Sequence, residues 1–162
     1  MASSRTELKS SIRHSLFSRD SDSAEALVEW WRKLSNDPAA RARLRRCHRA
    51  IDTILHPEFH RLAARLPDGN PSQLAPLVRL LAFVEHDDPD RSLGASLGEK
   101  LSEARFRRLI ETPDRQSAAE DLRSAVGLLG RRANVLALAQ AVYFWGDLVR
   151  RRLATEYYGG RE

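Results

Sequence analysis

Cysteine occurs once, at Cys47, which excludes an intrachain disulfide and a thiolate metal cluster and fits a reducing, cytoplasmic compartment. Long apolar runs are missing: none approaches the roughly 20 residues that a membrane-spanning helix needs. The opening Met1-Ala2-Ser3-Ser4-Arg5 lacks the apolar core of a signal peptide. A soluble protein with no membrane partner is expected. Lysine is scarce, at Lys9, Lys33 and Lys100 only, so nearly all of the 27 basic residues are arginine. The planar fork of arginine grips a phosphate through two hydrogen bonds, whereas lysine is a hydrated point charge. A G+C-rich genome gives the same bias through codon usage. Strand-like alternation, internal repeats and low-complexity tracts are also lacking.

What is present describes a folded, basic, helical chain. The 162 residues suffice for one domain or two small helical ones, and 42% hydrophobic content is enough to bury a core. The net charge of +5 favours acidic partners such as nucleic acid. Residues 91–162 hold 13 Lys+Arg against 9 Asp+Glu and carry +4 of that charge, so the basic surface is expected mainly there.

Residues 1–21 are rich in serine and charge, with only a Leu8, Ile12, Leu16 spacing, and read as a flexible tail. Asp22 or Ser23 caps a first helix with Ala26, Leu27, Trp30, Trp31 and Leu34 on its apolar side; the tryptophans are expected to serve mainly as packing. Asp37 and Pro38 open a second, to about Arg49, with Leu44, Cys47 and Ile51 on one side and Arg41, Arg45 and Arg49 on another. Pro57 starts a short helix ended by Pro67-Asp68-Gly69-Asn70-Pro71, and Ser72 caps the next. The acidic stretch His86-Asp87-Asp88-Pro89-Asp90 is the candidate boundary between a helical unit over 22–90 and a more basic one over 91–162. Beyond it, helices are expected over Glu103–Glu111, Arg115–Arg131 and, as one long element, from an Asn134 cap to Tyr158. That last helix carries two apolar stripes, Leu138, Val142, Trp145, Val149, Leu153 and Ala137, Ala141, Phe144, Leu148, which suit a central bundle helix or one that docks a neighbour. The fold class is therefore all-α, as two small helical bundles joined by a short acidic linker containing Pro and Gly.

Several strings imitate catalytic motifs and fail on geometry. His56-Pro57-Glu58-Phe59-His60 has histidines four apart, but Pro57 starts the helix and the glutamate is displaced from a zinc-protease box. Cys47 and His48 are adjacent on a helix, about 100° apart, and cannot pair as nucleophile and base. Gly94-Ala95-Ser96-Leu97-Gly98-Glu99-Lys100-Leu101 lacks phosphate-loop spacing and reads as a loop joining helices. Asp87, Asp88 and Asp90 lack the glycine and distant glutamate of a calcium loop. No catalytic residue, metal or cofactor is expected.

The order of several weak motifs resembles the CasB family, the small subunit of the type I-E CRISPR Cascade. The pieces are Trp30-Trp31-Arg32-Lys33-Leu34, Arg41-Ala42-Arg43-Leu44-Arg45-Arg46, Pro57-Glu58-Phe59-His60-Arg61-Leu62, Ser96-Leu97-Gly98, Arg105-Phe106-Arg107-Arg108-Leu109-Ile110, Leu122-Arg123, and Trp145 followed by arginines and Tyr157-Tyr158. The resemblance implies a non-catalytic subunit of a ribonucleoprotein complex in antiviral defence. Its implied partners are other Cascade subunits, a second copy of itself, guide RNA, and the target and displaced DNA strands of an R-loop. Guide pairing reads the sequence in such a complex, leaving the protein to recognise backbone and shape. Matching motifs nominate Arg45, Arg46, Arg105, Arg108 and Arg115 for nucleic-acid contact, with Arg41, Arg49 and Arg123 behind them. Two rivals are a free-standing helical DNA-binding regulator and a purely structural helical adaptor.

Overall fold

Eight of the ten helices described begin with a side chain that accepts a hydrogen bond from a backbone N–H two or three residues on, and this punctuation divides the chain. The computed structural model describes residues 16–160, so the part of the expected tail over 1–15 lies outside the described residues. The elements are α1 (Asp22–Ser35), α2 (Pro38–Arg45), α3 (Ala50–Ile54), α4 (Pro57–Arg65), α5 (Pro71–Leu81), β1 (His86–Asp87), α6 (Leu93–Lys100), α7 (Glu103–Glu111), α8 (Arg115–Leu128), β2 (Arg132–Ala133), α9 (Val135–Tyr143) and α10 (Asp147–Gly159). The fold is all-α apart from β1 and β2, which pair in parallel with His86 opposite Arg132 and Asp87 opposite Ala133. Two residues per strand leave no periodicity for a sequence to display.

Several boundaries differ from the sequence reading. Ser21, not Asp22 or Ser23, caps α1, and Asn70 rather than Ser72 caps α5. The second helix stops at Arg45; Ile51 stands on the separate α3 and is exposed. The Gly94–Leu101 segment is helical through Lys100, capped by Ser92, rather than a loop. The expected long terminal helix is two, interrupted at Phe144-Trp145-Gly146. Gly146 is fully extended there, and the Trp145 indole turns to donate to the Thr112 carbonyl at 2.9 Å.

One cluster of buried apolar side chains runs from Phe17 through α1, α5, α8 and α9 to Tyr157. Residues on both sides of position 90 contribute to it, and α5 packs on α8 and α9. Trp30 and Trp31 are both buried, and each indole N–H meets a backbone carbonyl, Glu58 at 3.0 Å and Leu81 at 3.2 Å. Phe17 is fully enclosed, and its ring meets Tyr143 edge-on at 5.6 Å.

The closest helix packing is between α6 and α10. A methyl group at Gly94 would stand 2.3 Å from Glu156 Cβ and 2.7 Å from the Leu153 carbonyl, and the Gly94 N–H donates to Glu156 Oε2 at 3.0 Å. Gly94→Ala is therefore expected to force the helices apart and cost about 1–3 kcal/mol, the usual range for an overpacked core. Gly127→Ala, where nothing lies within 4 Å, is expected to be neutral or stabilising. Denaturant unfolding of the two variants checks the contrast.

Candidate nucleic-acid interface

The eight nominated arginines divide into two groups. Arg41, Arg45, Arg115 and Arg123 are half-buried. The Arg45 Nε–H donates to the Ala82 carbonyl at 2.8 Å, the Arg41 guanidinium to the Val84 carbonyl at 3.3 Å, and the Arg115 Nε–H to the Val142 carbonyl at 2.8 Å. These carbonyls lie at the C-terminal ends of α5 and α9 or just beyond, where regular helical N–H donors run out. A positive side chain there also suits the negative end of the helix dipole. Desolvation holds the pKa of Arg45 and of Arg115 below the ordinary arginine value.

Arg46, Arg49, Arg105 and Arg108 are exposed. Arg49 makes a two-pronged pair with Asp52, Nη2 to Oδ1 at 3.0 Å and Nε to Oδ2 at 3.1 Å. Arg46, Arg105 and Arg108 have no side-chain ion pair among the described residues. Arg46 follows α2, whereas Arg105 and Arg108 sit one turn apart on the solvent side of α7, opposite the buried Phe106 and Leu109.

A feature with no sequence signal is the gathering of guanidinium groups around Phe83. Arg45, Arg79 and Arg123 stand 5.5, 5.9 and 5.1 Å from its ring centre, each in cation–π range. Arg79, buried at 8% exposure, pairs with Glu120, which Arg123 also meets at 3.3 Å. Arg131 and Arg45 share Glu85 at 2.8 and 3.6 Å. Four cations thus face two carboxylates, three of the cations around one phenyl ring. Near the chain's other end, Arg150 lies 5.5 Å from the Trp145 ring and donates to the Thr112 carbonyl at 2.8 Å.

The imitation motifs have structural roles. His56 is the N-cap of α4, its Nδ1 accepting from the Glu58 N–H at 3.1 Å. Asp87 accepts from the Val135 N–H at 3.0 Å at the start of α9, while burial raises its pKa. Among the described residues no group of three or more His, Cys, Asp or Glu could hold a metal, and no helix is long and apolar enough to cross a membrane.

Two outcomes follow from this geometry. Arg115→Ala removes a charge-assisted hydrogen bond to the Val142 carbonyl, which keeps only longer backbone contacts such as the Trp145 N–H at 3.4 Å, and is expected to cost about 1–3 kcal/mol, against roughly 0.5 kcal/mol or less for Arg105→Ala; chemical denaturation separates them. Desolvation is the main cause that lowers the His56 pKa below the ordinary histidine value of 6.5, and the neutral ring is the form that caps α4. The folded state thus binds fewer protons than the unfolded one between that lowered value and 6.5. Stability from this cap is full above the window and falls as pH drops through it. Thermal melts across the window should show the loss, and His56→Asn should keep the cap while removing that part of the pH dependence.

Residues 40–158 match the family model of the CRISPR-associated protein Cse2. Among solved structures, the chain is similar to a chain of E. coli Cascade bound to a PAM-containing double-stranded DNA target. That match has a TM-score of 0.69 and 23% identity, covering 83% of this chain and 95% of that one. It is also similar to CasB from Thermus thermophilus, with a TM-score of 0.66 and 28% identity, covering 83% of this chain and 97% of that one. No match is found among curated proteins. The family match runs from α2 into α10, taking in the arginine motifs of α2 and α7 and most of the apolar cluster, and this chain belongs to the CasB, or Cse2, family of CRISPR-associated proteins.

Proposed function

We propose that the chain is a non-catalytic small subunit of a Cascade-type RNA-guided complex, holding nucleic-acid backbone and stabilising the R-loop in antiviral defence. The observation that carries this reading is that three of the nominated arginines, Arg46, Arg105 and Arg108, are exposed and make no ion pair among the described residues, on a chain of net charge +5. The similarity to a chain of a DNA-bound Cascade supports it. Arg46 serves from the half over 22–90 and the α7 pair from the half over 91–162, so the two halves grip separate stretches of backbone. Arg41, Arg45, Arg115 and Arg123 act indirectly, holding the helices that present the exposed cations.

Guide RNA, target strand and displaced strand are the nucleic-acid partners, and other Cascade subunits with a second copy of this chain are the protein partners. Exposed apolar side chains support the protein contacts: Leu148 on α10 is 69% exposed and Leu55 after α3 is 71% exposed. Leu148 is the member of the second stripe that stands exposed, whereas Ala141 is buried and Ala137 and Phe144 pack against the core.

Phosphate contacts release counterions, and strand exchange between DNA duplex and RNA–DNA heteroduplex is nearly balanced, so a few backbone contacts tip it. Complexes carrying Arg46→Glu together with Arg105→Glu and Arg108→Glu are expected to assemble, bind target DNA more weakly, and show a salt slope shallower by about one for each lost contact. Fully incorporated variants with wild-type affinity and slope would leave the chain as a helical adaptor. Leu148→Asp is expected to leave the thermal midpoint of the isolated protein unchanged and to deplete the subunit from purified complexes, as measured by subunit stoichiometry.

A further inference from the structure

The acidic stretch that follows α5 is bonded along its length to the segment between α8 and α9. α8 ends in a Schellman turn: the Gly130 N–H donates to the Gly127 carbonyl at 3.2 Å and the Arg131 N–H to the Val126 carbonyl at 2.9 Å, with Gly130 and Arg131 at left-handed φ values of 72° and 61°. The turn aims the Arg131 carbonyl at the incoming stretch, where it accepts from the Glu85 N–H at 2.8 Å and the His86 N–H at 3.1 Å. Further along, the Asp88 N–H donates to the Ala133 carbonyl at 3.1 Å, and Asp87 Oδ1 accepts from the Val135 N–H at 3.0 Å. The Asn134 side-chain amide donates to the Pro89 and Arg91 carbonyls at 3.4 and 3.0 Å, and Arg131 pairs with Glu85 at 2.8 Å. A connection held at both ends and in the middle is a clasp rather than a hinge.

Bonds continue from the clasp towards both sets of exposed cations. On one side, Arg45 and Arg41 hold the end of α2 to the Ala82 and Val84 carbonyls at 2.8 and 3.3 Å, just before the clasp, and Arg46 is the residue that follows α2. On the other side, the Thr112 hydroxyl at the end of α7 donates to Asp121 Oδ2 on α8 at 2.7 Å, so the helix that carries Arg105 and Arg108 rides on the helix whose last turn forms the clasp. The Arg79–Glu120 pair joins α5 to α8 beneath it. Elements joined in this way keep two contact sets at one spacing, and a second contact made from a fixed spacing costs little further ordering.

We propose that Asp87 and Asn134 are positioning residues for backbone binding: they hold the clasp shut, and the shut clasp presents Arg46 and the Arg105 and Arg108 pair at one fixed separation, so that the subunit engages its nucleic acid at two points at once. The proposal rests on the phosphate-contact reading of those arginines and adds what keeps them in register. Asp87 and Asn134 act through the arginines and touch no phosphate themselves.

Complexes reconstituted with variant subunits test it, once subunit content has been confirmed. Asp87→Ala with Asn134→Ala, or Asn134→Ala alone should the pair impair folding, is expected to lower target-DNA affinity by about tenfold and to make the salt slope shallower by about one, although no arginine has changed, because only one set of cations engages at a time. Asp87→Asn, whose side-chain oxygen still caps α9, is expected to keep wild-type affinity and slope. His86→Cys with Arg132→Cys, which face each other across β1 and β2, added to the alanine variant in a Cys47→Ser background, should restore affinity and slope when oxidised and lose them again when reduced. Alanine variants that are fully incorporated and keep the wild-type slope show the clasp to be structural only and overturn the proposal, and so does an oxidised cross-link that restores neither quantity. In both cases reversal of Arg46, Arg105 and Arg108 still weakens binding; reversals without effect bring down the phosphate-contact reading and this proposal with it.

Discussion

The carbonyl groups at the ends of short helices are the constraint around which this molecule is organised. Every helix leaves its last four carbonyls without an internal donor, and ten helices of five to fourteen residues create that debt many times over in a small volume. Long side chains from neighbouring helices meet it. The Leu81 carbonyl receives the Trp31 indole and Ala82 receives Arg45; Leu101 receives the Tyr157 hydroxyl at 2.7 Å; Thr112 receives both Trp145 and Arg150; Val142 receives Arg115, and Tyr143 the Gln73 amide at 2.9 Å. Each bond ties one helix end to another element, so satisfaction of the backbone and assembly of the bundle are the same event.

That arrangement determines which arginines remain free for a partner. A guanidinium that serves a carbonyl or lies over Phe83 is half-desolvated and already bonded, and recruiting it to a phosphate would break a contact within the fold. The exposed cations Arg46, Arg105 and Arg108 carry no such commitment. Around Phe83 the excess of guanidinium over carboxylate also sets a positive potential that shared glutamates moderate rather than cancel. Under the proposed function the anchored arginines would contribute at a distance, through field, and the free ones through contact.

Amphipathic helices were legible in the sequence: α2 with Asp37-Pro38 and α4 with Pro57 from an initial proline, and α7 with Phe106 and Leu109 from its apolar spacing. Elements decided by distant partners were not. Nothing near Gly94 announces that Glu156 packs against it and helps make its segment helical, and the break at Gly146 depends on the Trp145 indole finding Thr112 across 33 positions. The nominated arginines could be recognised by motif, but their burial could not, because Arg45 meets Ala82 and Arg115 meets Val142 only after the helices have packed. Phe83 as a meeting point of three cations from three helices lies wholly in that second class.

The close approach of α6 to α10 also has a meaning for how the protein comes into being. Gly94 and Glu156 are 62 positions apart, so α6 has left the ribosome well before its partner is synthesised. An eight-residue helix is too short to persist alone in water, and its apolar Leu93 and Leu97 must wait uncovered while α7, α8 and α9 emerge. The nascent chain consequently passes through a long vectorial interval in which α6 is made but cannot be covered, and α10 is the helix that ends it.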